Sequence, residues 1–212
     1  MSRGLLIVLE GIDGSGKSTL MRQLNQNLVK YGRDVLCVEE PGGTPAGERI
    51  RQLVLDKTLQ IESIAELLLY EASRRQLVQS VIRPALDEGK IVLSDRFTMS
   101  SLVYQGYGRG LSLTLVEELN WVATGGLMPD LTILLDIDVE ASLLRKRGQR
   151  DRLESAGLEF LNRVRSGYLE LISQPQHNGL HLDATQTIEH LTDAAMRQIR
   201  EKGEEHGIHL RP

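Results

Sequence analysis

Apolar residues gather in short runs at Leu5 to Leu9, Val35 to Val38, Ile91 to Leu93, Leu131 to Leu135 and Leu180 to Leu182. Runs this short, bounded by polar and turn-forming residues, predict strands buried on both faces. Between them the apolar positions recur at helical spacing over Lys17 to Tyr31, Ala46 to Leu55, Ile61 to Glu88, Thr114 to Thr124, Val139 to Arg147, Leu158 to Ile172 and Thr187 to Lys202. Alternation of strand and helix predicts an α/β fold, a five-stranded parallel sheet with helices on both faces. No repeat, low-complexity tract or separating linker interrupts the 212 residues, so residues 1–212 are expected to form a single domain. The tail from Gly203 to Pro212 is expected to fray, leaving His206 and His209 in solvent.

Each strand ends in a chemically loaded segment. These are Gly11 to Thr19 after the first, Glu39 to Thr44 after the second, Asp95-Arg96-Phe97 after the third, Asp136-Ile137-Asp138 after the fourth and Asp183-Ala184-Thr185 after the fifth. Open parallel sheets bind ligands beyond the carboxyl ends of their strands, so five signals converge on one edge.

The first segment, Gly11-Ile12-Asp13-Gly14-Ser15-Gly16-Lys17-Ser18, satisfies the phosphate-loop pattern G-x-x-x-x-G-K-[ST] at every fixed position. Glycines let successive N–H groups turn into one concavity at the head of a helix, where they hold phosphate oxygens. Lys17 would then reach the β- and γ-phosphates of ATP and Ser18 would ligate Mg2+, with Thr19, next along the helix, also expected at the nucleotide. Asp95 would lie near the same metal, and Arg96 could fork onto a second phosphate. Tyr70 and Arg74, four residues apart on one helix face, pair an aromatic plane with a planar donor and suit a nucleobase; a plain surface contact has the same spacing. Ser100 to Gly106 adds hydroxyls, an aromatic ring and an amide in what reads as a loop. Arg145, Lys146, Arg147, Arg150 and Arg152 crowd around one glycine, a pattern that suits either a solvated helix end or a mobile lid over about residues 145–155 that closes on a transferring phosphate.

Composition narrows the function classes. A formal net charge of −4 argues against a nucleic-acid surface, so anion binding must be local. The single cysteine, Cys37, cannot form an internal disulfide and, inside the run Val35 to Val38, is expected in the core. No leader-like segment and no stretch of 18 apolar residues occurs, which gives a cytoplasmic expectation and no membrane partner.

Together, Gly11 to Thr19, Glu40-Pro41-Gly42-Gly43-Thr44, Ala72 to Val78, Ile82 to Leu86, Asp95-Arg96-Phe97, Tyr104-Gln105-Gly106, Pro129 to Thr132 and Asp183-Ala184-Thr185 resemble the thymidylate kinases. The resemblance runs in order from about Leu5 to Ala194 and is closest to the bacterial type, whose catalytic arginines sit in the lid. It implies the P-loop nucleoside monophosphate kinase fold, ATP and dTMP as substrates, Mg2+ as cofactor, and a homodimer. By position it implies that Tyr70 stacks on thymine, Arg74 bonds the base, and Ser101 meets the base edge with Ser100 and Gln105 close by. Tyr104 would sit against the sugar, Asp13 near the 3′-hydroxyl, and Arg96 and Arg51 near the substrate phosphate. Pro41 and Leu53 would line the cleft, and Arg145 would stack on adenine while Arg147, Arg150 and Arg152 supply lid charge. Glu39 stands where many bacterial relatives carry arginine, and Tyr70 where phenylalanine is common.

The expected reaction is transfer of the γ-phosphoryl group of ATP to dTMP. A phosphate acceptor is already largely ionised at neutral pH, so no general base is required and Asp95 is a metal and positioning residue. A deoxynucleoside kinase would share the loop but need a carboxylate base, and an ATP-dependent switch would need neither a second phosphate site nor a base-reading pair. Trp121, with Leu119 and Val122, suits either a dimer face or the core, the core being preferred.

Overall fold

The computed structural model describes residues 3–145 and 157–210. Five strands, β1 (Leu6–Glu10), β2 (Val35–Glu39), β3 (Ile91–Asp95), β4 (Leu131–Asp136) and β5 (Gly179–Asp183), form one all-parallel sheet in the order β2-β3-β1-β4-β5. Strand β1 lies at the centre, with Val8 opposite Ser94 on one side and Thr132 on the other. All of its residues are buried, as the continuous apolar run requires.

The helices among the described residues are α1 (Lys17–Lys30), α2 (Pro45–Leu55), α3 (Ser63–Leu77), α4 (Arg83–Asp87), α5 (Thr98–Ser101), α6 (Leu113–Thr124), α7 (Val139–Arg145), α8 (Leu158–Ile172) and α9 (Ile188–Glu205). They cover both faces of the sheet. Successive strand side chains point oppositely: Leu5, Ile7 and Leu9 join the larger core with Leu20, Leu24 and Leu28 of α1 and Leu191, Ala195 and Ile199 of α9. Leu6 and Val8 enter the smaller core with Leu77, Val78, Ile82 and Phe97.

Local chemistry sets several boundaries. Thr44 Oγ1 accepts from Gly47 N at 3.0 Å ahead of Pro45, so α2 begins with a side-chain cap and a residue whose missing N–H costs nothing there. The single long helix expected over Ile61 to Glu88 is interrupted by a π-helical turn at Val78–Ile82, just before Pro84, whose ring removes a helical donor. Ser100 to Gly106 is not a loop: α5 continues into π-helical turns over Leu102–Gly108.

Three further expectations are corrected. Strand β2 is at the sheet edge, and Cys37 is exposed there, not in the core. Trp121 and Val122 are 63% and 67% exposed, so α6 turns them outward while Leu119 packs against the larger core. The tail does not fray at Gly203, because α9 runs to Glu205 and Ile208 and Leu210 then fold into the core. His206 there lies 3.5 Å from Asp130.

Candidate active site

The loop between β1 and α1 is shaped by glycine. Gly11 has φ 138° and Gly14 φ 80°; a Cβ at Gly11 would stand 2.5 Å from the Leu135 carbonyl oxygen, and one at Gly14 would stand 2.5 Å from that of Ser142. Lys17, buried, donates to Gly11 O at 3.0 Å and Ile12 O at 3.4 Å, with Asp13 and Asp95 at 3.7 and 3.9 Å. Burial lowers its pKa and Arg96 acts in the same direction, against the pull of Asp95 and Asp13. An arriving polyphosphate would supply further negative charge against this ammonium. Ser15 Oγ is buried with no hydrogen-bond partner among the described residues, a further polar atom directed within the loop.

Ser18 Oγ donates to Asp95 Oδ2 at 3.3 Å. A hydroxyl and a carboxylate are hard oxygen donors, and among the described residues no cluster of three or more His, Cys, Asp or Glu forms an all-protein cage. That donor set fits Mg2+, which keeps most of its sphere for phosphate and water.

Arg96 follows β3 with a left-handed backbone, φ 76°, a conformation that costs energy for any residue with a Cβ. Its side chain is correspondingly over-determined. Nη2 donates to Asp13 Oδ1 at 2.6 Å, Nη1 reaches Gly11 O, Tyr168 OH and Ser100 Oγ at 3.1, 3.2 and 3.3 Å, and the guanidinium carbon lies 5.2 Å from the Tyr104 ring centre. Burial opposes its charge, but Tyr104, Asp13, Tyr168 and Asp95 outweigh it and hold the pKa well above the ordinary value. Beneath it, buried Glu10 accepts from Ser100 Oγ at 2.6 Å, Tyr168 OH at 2.8 Å and Phe97 N at 2.9 Å.

The second cleft is lined by Pro41, Leu55, Tyr70, Arg74, Ser101 and Gln105, with Tyr104 and Ser100 toward Arg96. Arg74 is held nearly immobile at its wall. Nε donates to Glu40 at 2.7 Å, Nη1 to Glu71, Asn120 and Ser101 at 2.5, 2.6 and 2.9 Å, and Nη2 to Phe97 O at 3.0 Å. One Nη2 hydrogen therefore remains for a ligand. Burial pushes the Glu40 carboxyl up to about 7, with Arg74 opposing. Arg51 donates to Pro41 O at 2.7 Å and lies 3.6 Å from Glu39, so the acidic residue at that turn is partly neutralised from α2.

The described members of the sequence-derived set gather at this edge with one exception. Leu53 is 47% exposed and outside the cleft, whose wall is made instead by Leu55, two residues on. A wider cleft contains the phosphate loop, Asp95 and Arg145, whose Nη1 donates to Ala184 O at 2.9 Å. Arg147, Arg150 and Arg152 lie outside the described residues. The sequence pattern assigned no role to Glu10, Glu71 or Tyr168. Only Glu71 carried a local signal, standing three residues before Arg74 on one helix.

A sequence model of the thymidylate kinase family matches residues 9–195. The chain is 49% identical over 205 residues to the thymidylate kinase of Deinococcus radiodurans, covering 96% of this chain and all of that one. It is 45% identical over 194 residues to that of Chlorobaculum parvum, covering 86% and 89%. The crystal structure of the thymidylate kinase from Ehrlichia chaffeensis superposes with a TM-score of 0.77 at 31% identity, covering 93% of this chain and 98% of that one. A five-stranded parallel sheet, a phosphate loop at its central strand and these likenesses along nearly the whole chain agree: the chain belongs to the thymidylate kinase family.

Proposed function

We propose that this chain transfers the γ-phosphoryl group of ATP to the 5′-phosphate of dTMP, giving dTDP and ADP. One observation carries the reading: the phosphate-loop cleft and the base-sized cleft meet, sharing Asp13, Glu40, Arg51 and Arg96 in both walls. Two anionic groups entering from opposite sides would be brought face to face at Arg96. Holding them in line and neutralising the charge between them is the catalytic problem of phosphoryl transfer.

Lys17 grips the β- and γ-phosphates, and the backbone of Gly11 to Thr19 cradles them. Ser18 and Asp95 would hold Mg2+, which when bound neutralises charge on the donor phosphates. Arg96, assisted by Arg51, orients the acceptor phosphate, and Asp13 stands beside it for the sugar 3′-hydroxyl. Tyr70 stacks on the base, Arg74 donates to a base carbonyl, Ser100, Ser101 and Gln105 complete the pocket, and Tyr104 fills the space beside the sugar. Arg145 stacks on adenine next to Ala184, and Arg147, Arg150 and Arg152 close over the transferring group within one kinase domain with a lid at about residues 145–155. No residue needs to remove a proton from a phosphate already ionised.

The protein works in the cytoplasm as a homodimer. Support for the dimer is the family resemblance together with Leu68 on α3 and Trp121 and Val122 on α6, exposed on two helices that pack together. No described helix is long and apolar enough to cross a membrane.

ADP release measured with Mg2+ and ATP against thymidine, dTMP, dUMP, UMP and AMP tests the reading. Turnover confined largely to dTMP is expected. Turnover of thymidine alone would make the chain a nucleoside kinase, and ATP binding without turnover of any acceptor would make it a switch.

A further inference from the structure

Glu66 is fully buried on α3, one turn before Tyr70 and two before Arg74. Its Oε1 accepts from Gln105 Nε2 at 2.8 Å and from Arg109 Nε at 3.4 Å, and its Oε2 accepts from Arg109 Nη2 at 3.1 Å. Arg109 is braced in turn over the Phe160 ring, 4.9 Å from its centre. A carboxylate paired with a guanidinium can only accept hydrogen bonds. An amide beside it is therefore compelled to turn its NH2 toward it, whichever way the amide would otherwise settle.

The two ends of a planar amide diverge. With Nε2 committed to Glu66, the end that Gln105 has left to offer the cleft it lines is its carbonyl oxygen. Thymine presents a donor, N3–H, between two carbonyl oxygens. A cytosine in the same place presents a bare N3 acceptor beside an amino donor. A fixed carbonyl oxygen bonds the first and opposes the second, while Arg74, a donor that cannot become an acceptor, favours the carbonyl next to N3–H. A neutral amide free to turn over would serve both bases equally.

We infer that Glu66 is a positioning residue for base selection: by locking the Gln105 amide with its carbonyl toward the cleft, it makes the site choose a pyrimidine bearing N3–H over cytosine. The inference rests on the reading of this cleft as the base site. Glu66 never touches the substrate. Its effect passes entirely through the orientation of Gln105.

The test compares kcat/KM for dTMP and 5-methyl-deoxycytidine monophosphate, which share the methyl group and differ at the N3 edge. In Glu66→Gln, Arg109 still demands an acceptor, so the introduced amide turns its carbonyl to Arg109 and its NH2 to Gln105, which must turn over. The ratio of the two substrates should narrow at least about tenfold, in KM for the nucleotides, with KM for ATP unchanged. Glu66→Met, which removes the lock without supplying a donor, should narrow the ratio as well and serves where the amide variant folds poorly. In the unmodified protein the side-chain amide protons of Gln105 should exchange slowly with and without dTMP. A parallel loss for both substrates at an unchanged ratio, or rapid exchange of those protons, would overturn the inference. A wild-type protein that does not distinguish the two substrates would overturn the base-site reading itself.

Discussion

Replacing Arg96 with lysine keeps the charge and removes the fork. In the structure Nη1 is spent on Gly11 O, Ser100 Oγ and Tyr168 OH, and one Nη2 hydrogen is spent on Asp13. What remains for the acceptor phosphate is the Nε hydrogen and the second Nη2 hydrogen, which lie on one edge of the guanidinium and match two phosphate oxygens. An ammonium has three donors on one atom and cannot satisfy the Asp13 and Gly11 side and also grip two oxygens. At least one charge-assisted bond to phosphate is lost, and such bonds contribute about 1.5–3 kcal/mol each. With tenfold for every 1.4 kcal/mol, kcat/KM for dTMP in Arg96→Lys should fall roughly ten- to a hundredfold. The backbone strain at φ 76° is the same for both residues, but contacts to Gly11, Ser100 and Tyr168 that offset it are weakened, so a lower thermal unfolding midpoint is expected beside the kinetic loss. Steady-state ADP release with dTMP and ATP varied separately reads this directly. The loss should fall on the dTMP dependence, with KM for ATP within about twofold of its original value. A fall below about threefold, or one expressed through ATP, would refute the assignment of this edge to the acceptor phosphate.

The phosphate loop offers a paired steric test. Gly14→Ala and Gly16→Ala both force a side chain into positive φ, costing about 1–2 kcal/mol each, but only at Gly14 does the new Cβ meet backbone, so thermal unfolding should show the larger drop there. Asp95→Asn leaves the Ser18 contact geometrically possible but removes the charge, and half-saturation by Mg2+ in the activity assay should rise about tenfold or more. Glu40 adds a pH term: its carboxyl is at about 7 in the fold against 4.5 for the ordinary group, because burial outweighs Arg74. The folded state therefore holds a proton between those values that the unfolded chain releases, and stability from this group is lost as pH rises from about 4.5 through 7. Chemical denaturation across that window should fall more steeply for the wild type than for Glu40→Gln. Among Arg147, Arg150 and Arg152, at least one replacement by alanine should reduce kcat by roughly 10³ if it acts as an arginine finger, whereas a solvated patch would show only a small change in single-turnover rates.

The phosphate loop was legible because its chemistry is carried by the backbone, and only glycine and a short list of partners satisfy it at fixed spacing. Strand β1 was legible because from Leu6 to Leu9, buried on both faces, every residue is apolar, the one polar residue being Glu10 at its carboxyl end, where Phe97, Ser100 and Tyr168 supply hydrogen bonds. Edge strand β2 has the same local pattern, yet Cys37 emerges into solvent, since the run Val35 to Val38 says nothing about which strands will flank it. Trp121 and Val122 were misplaced for a related reason: periodicity marks an apolar stripe without saying whether the chain itself covers it. The segment Ser100 to Gly106 read as a loop because hydroxyls, an aromatic ring and an amide stand in it, although Leu102 and Val103, with Met99 just ahead, carry helical spacing and are buried.

The groups proposed to face ligands announced themselves in sequence more readily than the groups that hold them. Arg74, Arg96 and Lys17 could be found by type and position, whereas Glu10 and Glu66 are carboxylates on a strand and a helix that look like any others, and Glu71 is marked only by its spacing from Arg74. What distinguishes them is burial beside a hydroxyl or an amide many residues away: Glu10 with Tyr168, Glu66 with Gln105, Glu71 with Ser101. A buried carboxylate survives only where such partners converge, because desolvation would otherwise protonate it. Each therefore constrains what surrounds it as strongly as it is constrained. That reciprocity underlies the role inferred for Glu66: an acceptor that cannot donate fixes the direction of every hydrogen bond made to it, and through Gln105 that direction would be passed on to a base entering the cleft.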